Sequence, residues 1–208
     1  NQVLKASEIF AALTPTLDGM EFPKNHHWDL GGELEDSARA KRNLAKWMLP
    51  CFGGVVFLLV WQFNSIRRAA IILLTMPLVI VGSVVGLLAM QADFGFMVIL
   101  GLLALAGSIV NNGIVMIDKI EENRRDGQTP YDAVINSAVS RFRPILLSVS
   151  TTMLGFSPLI INHDPLFYGM ACVMFFGLGI GSLFTLNYVP ALYCIFFRVK
   201  TPAGNVPG

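Results

Sequence analysis

Charge is scarce in this sequence, and it is missing altogether from long stretches. Asp, Glu, Lys and Arg make up 14% of the 208 residues and 54% are hydrophobic, where a soluble domain has roughly 25% charged and about 45–50% apolar. Cysteine is almost absent. Cys51, Cys172 and Cys194 lie in apolar segments, where a free thiol acts as a small hydrophobe, so neither a disulfide nor a metal site is expected. A net charge of +1 gives no pull toward nucleic acid. No nucleophile–base pair, phosphate-cradling glycine loop or ligand cluster is present, so no catalytic residue and no cofactor is expected, and an enzyme is excluded. His26 and His27 are adjacent, would point to opposite faces of a strand and have no third ligand nearby.

What is there is five apolar blocks, at about 47–63, 69–90, 94–117, 144–161 and 166–197, none containing a charged residue. Each is long enough to cross roughly 30 Å of hydrocarbon at about 1.5 Å per residue. Their continuity excludes the alternating pattern of a barrel, which leaves helices as the way to satisfy the backbone in lipid. Residues 1–46 are polar and read as a small α/β remnant, the end of a larger domain. With Asn rather than Met at position 1, the expectation is a C-terminal piece of a longer chain, ending in a tail at 199–208. The expected fold class is therefore an all-α membrane bundle of five helices with a short α/β segment at its N-terminus.

Basic residues in the connections fall on one side. Arg67 and Arg68 lie between spans one and two, Lys119, Arg124, Arg125, Arg141 and Arg143 between three and four, and Arg198 and Lys200 after five. The connections at 91–93 and 162–165 have none. The positive-inside rule makes the basic side cytoplasmic and places the N-terminal segment outside. Lys41, Arg42 and Lys46, next to the first span, run against that assignment, which tolerates them only within a large translocated domain.

Gly82 and Gly86, and Gly177 and Gly181 with Gly179 between, are spaced for close helix packing. Pro77, Pro158 and Pro190 lie within spans. Thr129-Pro130-Tyr131-Asp132 has the form of a helix start, and Val134, Ile135, Ala138, Val139 and Phe142 make an apolar stripe after it. That pattern predicts an amphipathic helix at about 130–142 on the cytoplasmic surface.

Polar residues inside the spans are few, and Asn111 and Asn112 stand out near the midpoint of the third. Amides and hydroxyls do not titrate near neutral pH, so they cannot carry protons alone. Two readings stay open: hydrogen-bonded glue between helices, or the lining of an ion pathway. Transport across the membrane is the leading function class, and a sensor or assembly subunit is the second.

Several stretches taken in order resemble a known family. They are Trp28 to Ser37, Gln62-Phe63-Asn64-Ser65, Met76-Pro77-Leu78, Phe94-Gly95-Phe96-Met97, Asn111-Asn112-Gly113-Ile114-Val115, Arg141-Phe142-Arg143-Pro144-Ile145-Leu146 and Thr151 to Leu159. Together they resemble the C-terminal part of an RND (resistance–nodulation–division) efflux transporter of the hydrophobe/amphiphile exporter branch, over nearly all of residues 20–198.

The resemblance implies that residues 1–46 end a periplasmic porter region and that the five spans are the last five of twelve. It also implies a proton-antiporting homotrimer of the bacterial inner membrane that exports amphiphiles or drugs. Its partners would be the lipid bilayer, a periplasmic adaptor, an outer-membrane channel and the missing N-terminal half of the same transporter. Asn111, Arg141 and Ser148 match the family's relay positions, with Asn112 beside them. The best-known drug pumps carry lysine where this chain has Asn111, facing two carboxylates. A neutral amide implies a different charge balance, and one relay carboxylate rather than two is expected in the missing half. Arg141 has a plainer reading as a positive-inside anchor, and Ser148 as a hydroxyl bonded to its preceding turn.

Overall fold

A computed structural model of the chain describes residues 33–199, with side chains from Arg39 onward. The expected α/β remnant, His26-His27 and most of the C-terminal tail lie outside the described residues. Two compact units are present, Asn1–Gly53 and Gly54–Gly208. The first contributes the opening part of helix α1 (Glu33–Phe63), including exposed Trp47, Met48, Leu49 and Phe52. The second holds the rest of α1 and five further helices: α2 (Ile66–Leu73), α3 (Met76–Ala89), α4 (Phe96–Arg125), α5 (Pro130–Ile161) and α6 (Tyr168–Phe196). No strand occurs among the described residues. The chain is an all-α bundle with five segments long and apolar enough to cross a membrane.

Two of the expected boundaries look different in the structure. The second span is interrupted at Leu74 and Thr75, which separate α2 from α3. Pro77 lacks the N–H that would bond back to Leu73, and the Thr75 hydroxyl donates to Ile72 O at 2.6 Å, closing the end of α2. Conversely, the predicted surface helix at 130–142 and the fourth span are one helix of 32 residues. It passes through Pro144, although the ring removes one backbone donor there. Its start is as expected: Thr129 accepts from Asp132 N at 3.2 Å and donates to Asp132 Oδ2 at 2.7 Å, with Pro130 in the first turn.

Helix α6 is the centre, packed by α3, α4 and α5. Lipid is as apolar as leucine, so close packing rather than water exclusion must hold these helices together. The two glycine pairs supply it. A Cβ on Gly82 would come within 3.1 Å of Ile180 and 3.6 Å of Gly177 Cα, and one on Gly177 would run into Leu105 and within 2.6 Å of Ser83 Oγ. The α3–α6 seam is built at glycine distance, as the spacing predicts. Tyr193, Ile71, Ile72, Leu105, Ile109, Met116 and Ile117 fill the core around it.

Four helix ends turn in the same way. Gln91, Gly127, His163 and Arg198 take left-handed backbone angles after α3, α4, α5 and α6. Each is followed by a backbone bond spanning five residues: Ala92 to Leu87, Gln128 to Asn123, Asp164 to Leu159 and Val199 to Cys194, all within 3.2 Å. These pairings satisfy carbonyls that the last helical turn leaves open. Tyr168 OH donates to Met90 O at 3.1 Å, tying the start of α6 to the connection after α3.

Candidate functional site

The mid-span asparagines are separated by the helix itself. Successive residues point about 100° apart on a helix of 3.6 residues per turn, and α4 divides its two amides accordingly. Asn112 is half-buried and its Nδ2 donates to Ser182 Oγ of α6 at 3.5 Å, the outer limit of a hydrogen bond. Asn111 is exposed on the outer face of α4, in line with exposed Ala104 and Gly107, and its side chain has no hydrogen bond among the described residues.

On α5, Arg141 and Ser148 lie seven residues apart on one face, with exposed Gly155 seven further along. Ser148 is exposed, and its hydroxyl makes no hydrogen bond among the described residues. Its carbonyl instead accepts from Thr151 Oγ1 at 2.8 Å and Thr152 Oγ1 at 2.9 Å. Arg141 is half-buried, and its Nε is buried with no hydrogen-bond partner. No hydrogen bond links Asn111, Arg141 and Ser148 among the described residues. All three carry polar groups left open on the outside of the bundle or within its edge.

A second polar centre, at the basic end, was not anticipated from the sequence. Glu121 of α4 has a side chain only 14% exposed and pairs with Arg68 Nη2 of α2 at 2.9 Å. Its other oxygen accepts from Tyr193 OH of α6 at 2.5 Å. Arg124 Nη1 donates to the same tyrosine oxygen at 2.9 Å, Arg68 Nη1 donates to Phe63 O at 3.0 Å, and Tyr193 stacks on Phe197 with centroids 4.5 Å apart. This set ties α2, α4 and α6 together. Periodicity offered a signal for it: Val110, Gly113 and Ile117 are buried on α4, and Glu121 continues that stripe. A carboxylate on a buried stripe requires a partner.

The family model described as AcrB/AcrD/AcrF matches residues 2–197, nearly the whole chain. The chain belongs to the AcrB/AcrD/AcrF family. Its members are RND transporters, not enzymes. Among relatives of this family, the nickel and cobalt resistance protein CnrA of Cupriavidus metallidurans is 30% identical over 185 residues, covering 88% of this chain and 17% of CnrA. Multidrug resistance protein MdtC of Cronobacter sakazakii is 27% identical over 198 residues, covering 93% of this chain and 19% of MdtC. A crystal structure of a heavy metal efflux pump superposes with a TM-score of 0.72 at 26% identity, over 95% of this chain and 20% of the pump. The chain thus spans about one fifth of the length of its AcrB/AcrD/AcrF relatives.

Proposed function

We propose that these residues form the second-half membrane domain of a proton-driven efflux transporter, with Asn111, Asn112, Arg141 and Ser148 along its ion pathway. The observation that carries this reading is the outward placement of Asn111 and Ser148 without hydrogen-bond partners among the described residues. Exposed polar groups within apolar spans, one near a midpoint and one in the first two turns, would be costly against lipid and make sense against a polar or charged surface supplied by another part of the transporter. Arg141, at the basic end of the same α5 face, supplies a fixed positive charge on that route. Asn111 and Ser148 are neutral, so their role is to orient water and a carboxylate brought by the other half.

The protein sits in the bacterial inner membrane with the basic end cytoplasmic and residues 1–46 periplasmic. It works as a homotrimer with a periplasmic adaptor and an outer-membrane channel. Amphiphiles or drugs are the exported class, consistent with likeness to MdtC. A metal cation is the second reading, favoured by likeness to CnrA and to the heavy metal efflux pump.

The deciding experiment is Asn111→Ala in the full-length transporter, read as dye efflux and metal tolerance in the same cells. Export is lost while protein level in the membrane is unchanged; full export by the variant would reduce Asn111 to a packing residue. Orientation is tested in a background without the native cysteines. Asp126→Cys is labelled from the cytoplasm and Asn162→Cys from the periplasm, and the reverse pattern would overturn the topology.

A further inference from the structure

The termini of three helices border a half-open cavity of about 400 Å³ at the basic end of the second unit, lined by residues including Arg124, Tyr131, Asp132, Phe197 and Arg198. This is within the size range of small-ligand sites. Its walls carry both signs of charge, yet Arg198 and Asp132 form no ion pair with each other among the described residues. Arg198 is exposed, and its side chain makes no hydrogen bond or ion pair among the described residues. Its backbone is held in the turn by the Arg198 to Ile195 bond at 3.3 Å and the Val199 to Cys194 bond at 3.0 Å. Asp132, which also lines the cavity, is held by the Thr129 hydroxyl at 2.7 Å. Arg124 is anchored by Tyr193 at 2.9 Å, which engages one of its donors.

We propose that this cavity binds the headgroup of a zwitterionic phospholipid bearing a phosphate and a primary ammonium. Its level in the membrane fits, since Phe197 ends the last apolar run, and Tyr131 and Asp132 open the amphipathic stretch expected at the membrane surface. Arg198 and Arg124 present donors matched to phosphate oxygens. The Asp132 carboxylate accepts from the ammonium, whose N–H donors a choline headgroup lacks. Ile195 and Phe196, exposed at 68% and 38% on the last turn of α6, leave apolar surface for an acyl chain beside the cavity. A purely anionic headgroup would leave Asp132 facing negative charge, so the mixed walls select a headgroup with both charges. This site is separate from the Asn111 pathway and does not depend on transport.

The test is lipid retention by native mass spectrometry on the full-length protein, offered phosphatidylethanolamine, phosphatidylcholine and phosphatidylglycerol. The wild type retains phosphatidylethanolamine about tenfold better than either of the others, a difference of about 1.4 kcal/mol. Arg198→Asn, which keeps a residue tolerant of the left-handed backbone, loses that retention. Asp132→Asn retains phosphatidylethanolamine and phosphatidylcholine equally. Arg198→Asn melts like the wild type in lipid-free detergent, because its side chain is exposed and unpartnered among the described residues. Asp132→Asn, whose amide oxygen can still accept from Thr129, melts close to it. Equal retention of all three lipids by the wild type, preference for phosphatidylglycerol, or an unaltered profile in Arg198→Asn would overturn the proposal. Displacement by soluble phosphoethanolamine at the lipid's own concentration would overturn it as well, since a free phosphate compound would then be the ligand.

Discussion

At the basic end of the bundle, Arg68, Glu121, Arg124 and Tyr193 engage one another across three helices. Ten residues back along α4, about 15 Å at 1.5 Å per residue, Asn111 faces outward with no hydrogen-bond partner among the described residues. The same helix therefore carries a carboxylate whose partners lie within this chain and an amide that has none there. Arg68 Nε, like Arg141 Nε, is nevertheless buried without a partner among the described residues. Buried charge persists in an apolar setting when its partners are present. An unpartnered amide at mid-span points to something beyond the bundle's own surface. The outer face of α3 shows what a surface without that requirement looks like: Ile80, Val81, Val84, Val85 and Leu88 are exposed and wholly apolar. On α5 the exposed face instead mixes Leu147 and Leu154 with Ser148, Ser150 and Thr151.

The contrast can be broken most forcefully at Glu121. Glu121→Ala leaves half-buried Arg68 with Phe63 O as its remaining acceptor and the Tyr193 hydroxyl without its own, and unfolding in detergent should show a loss of about 1–3 kcal/mol. Adding Arg68→Met should recover most of that loss, and no recovery would mean that the pair is not what joins α2 to α4. A far smaller effect is expected at Ser182. Ser182→Ala removes the acceptor of a long bond from Asn112 and should cost about 0.6 kcal/mol, the average for hydrogen bonds between membrane helices. A cost above about 2 kcal/mol would make Asn112 a structural anchor and remove it from the pathway. Smallest of all is the stability change from Ser148→Ala, within about 0.5 kcal/mol as for a surface change. Transport should fall despite that silence. A matched loss of stability and transport would erase the difference between the two polar regions.

Much of the fold was open to reading in the residues, because charge-free blocks of membrane length leave helices as the means of satisfying the backbone. The glycine seam was readable for a similar reason, since Gly82, Gly86, Gly177 and Gly181 stand at spacings that only close packing uses. The break at Leu74 and Thr75 was not, because Pro77 is compatible with a kinked helix as well as with a new helix start. Nor was the fusion of 130–142 with the following span, where a proline and two arginines resemble a boundary that the backbone ignores. At the candidate site the asparagines announced themselves as rare amides in an apolar run. Which of the two faces inward depends on the position of α6, information that a single helix does not contain. Glu121 stayed hidden because it lies where the run has already turned polar and a charge attracts no notice.

The interruption at Leu74 and Thr75 has a mechanical consequence. The α2 segment is fastened to α4 through Arg68 and Glu121, while α3 is fastened to α6 through its glycines. Between these anchorages the regular backbone ladder stops. The last bonds on the α2 side run from Leu74 N to Ala70 O at 2.9 Å and from Thr75 N to Ile72 O at 3.1 Å. The second span is therefore a run of helical backbone whose hydrogen-bond ladder is broken at two residues, Leu74 and Thr75, both of which keep right-handed helical angles. Fewer backbone bonds resist bending there than elsewhere along the span. The break is thus where a change of angle between α2 and α3 costs least, with the glycine seam of α3 and α6 lying beyond it.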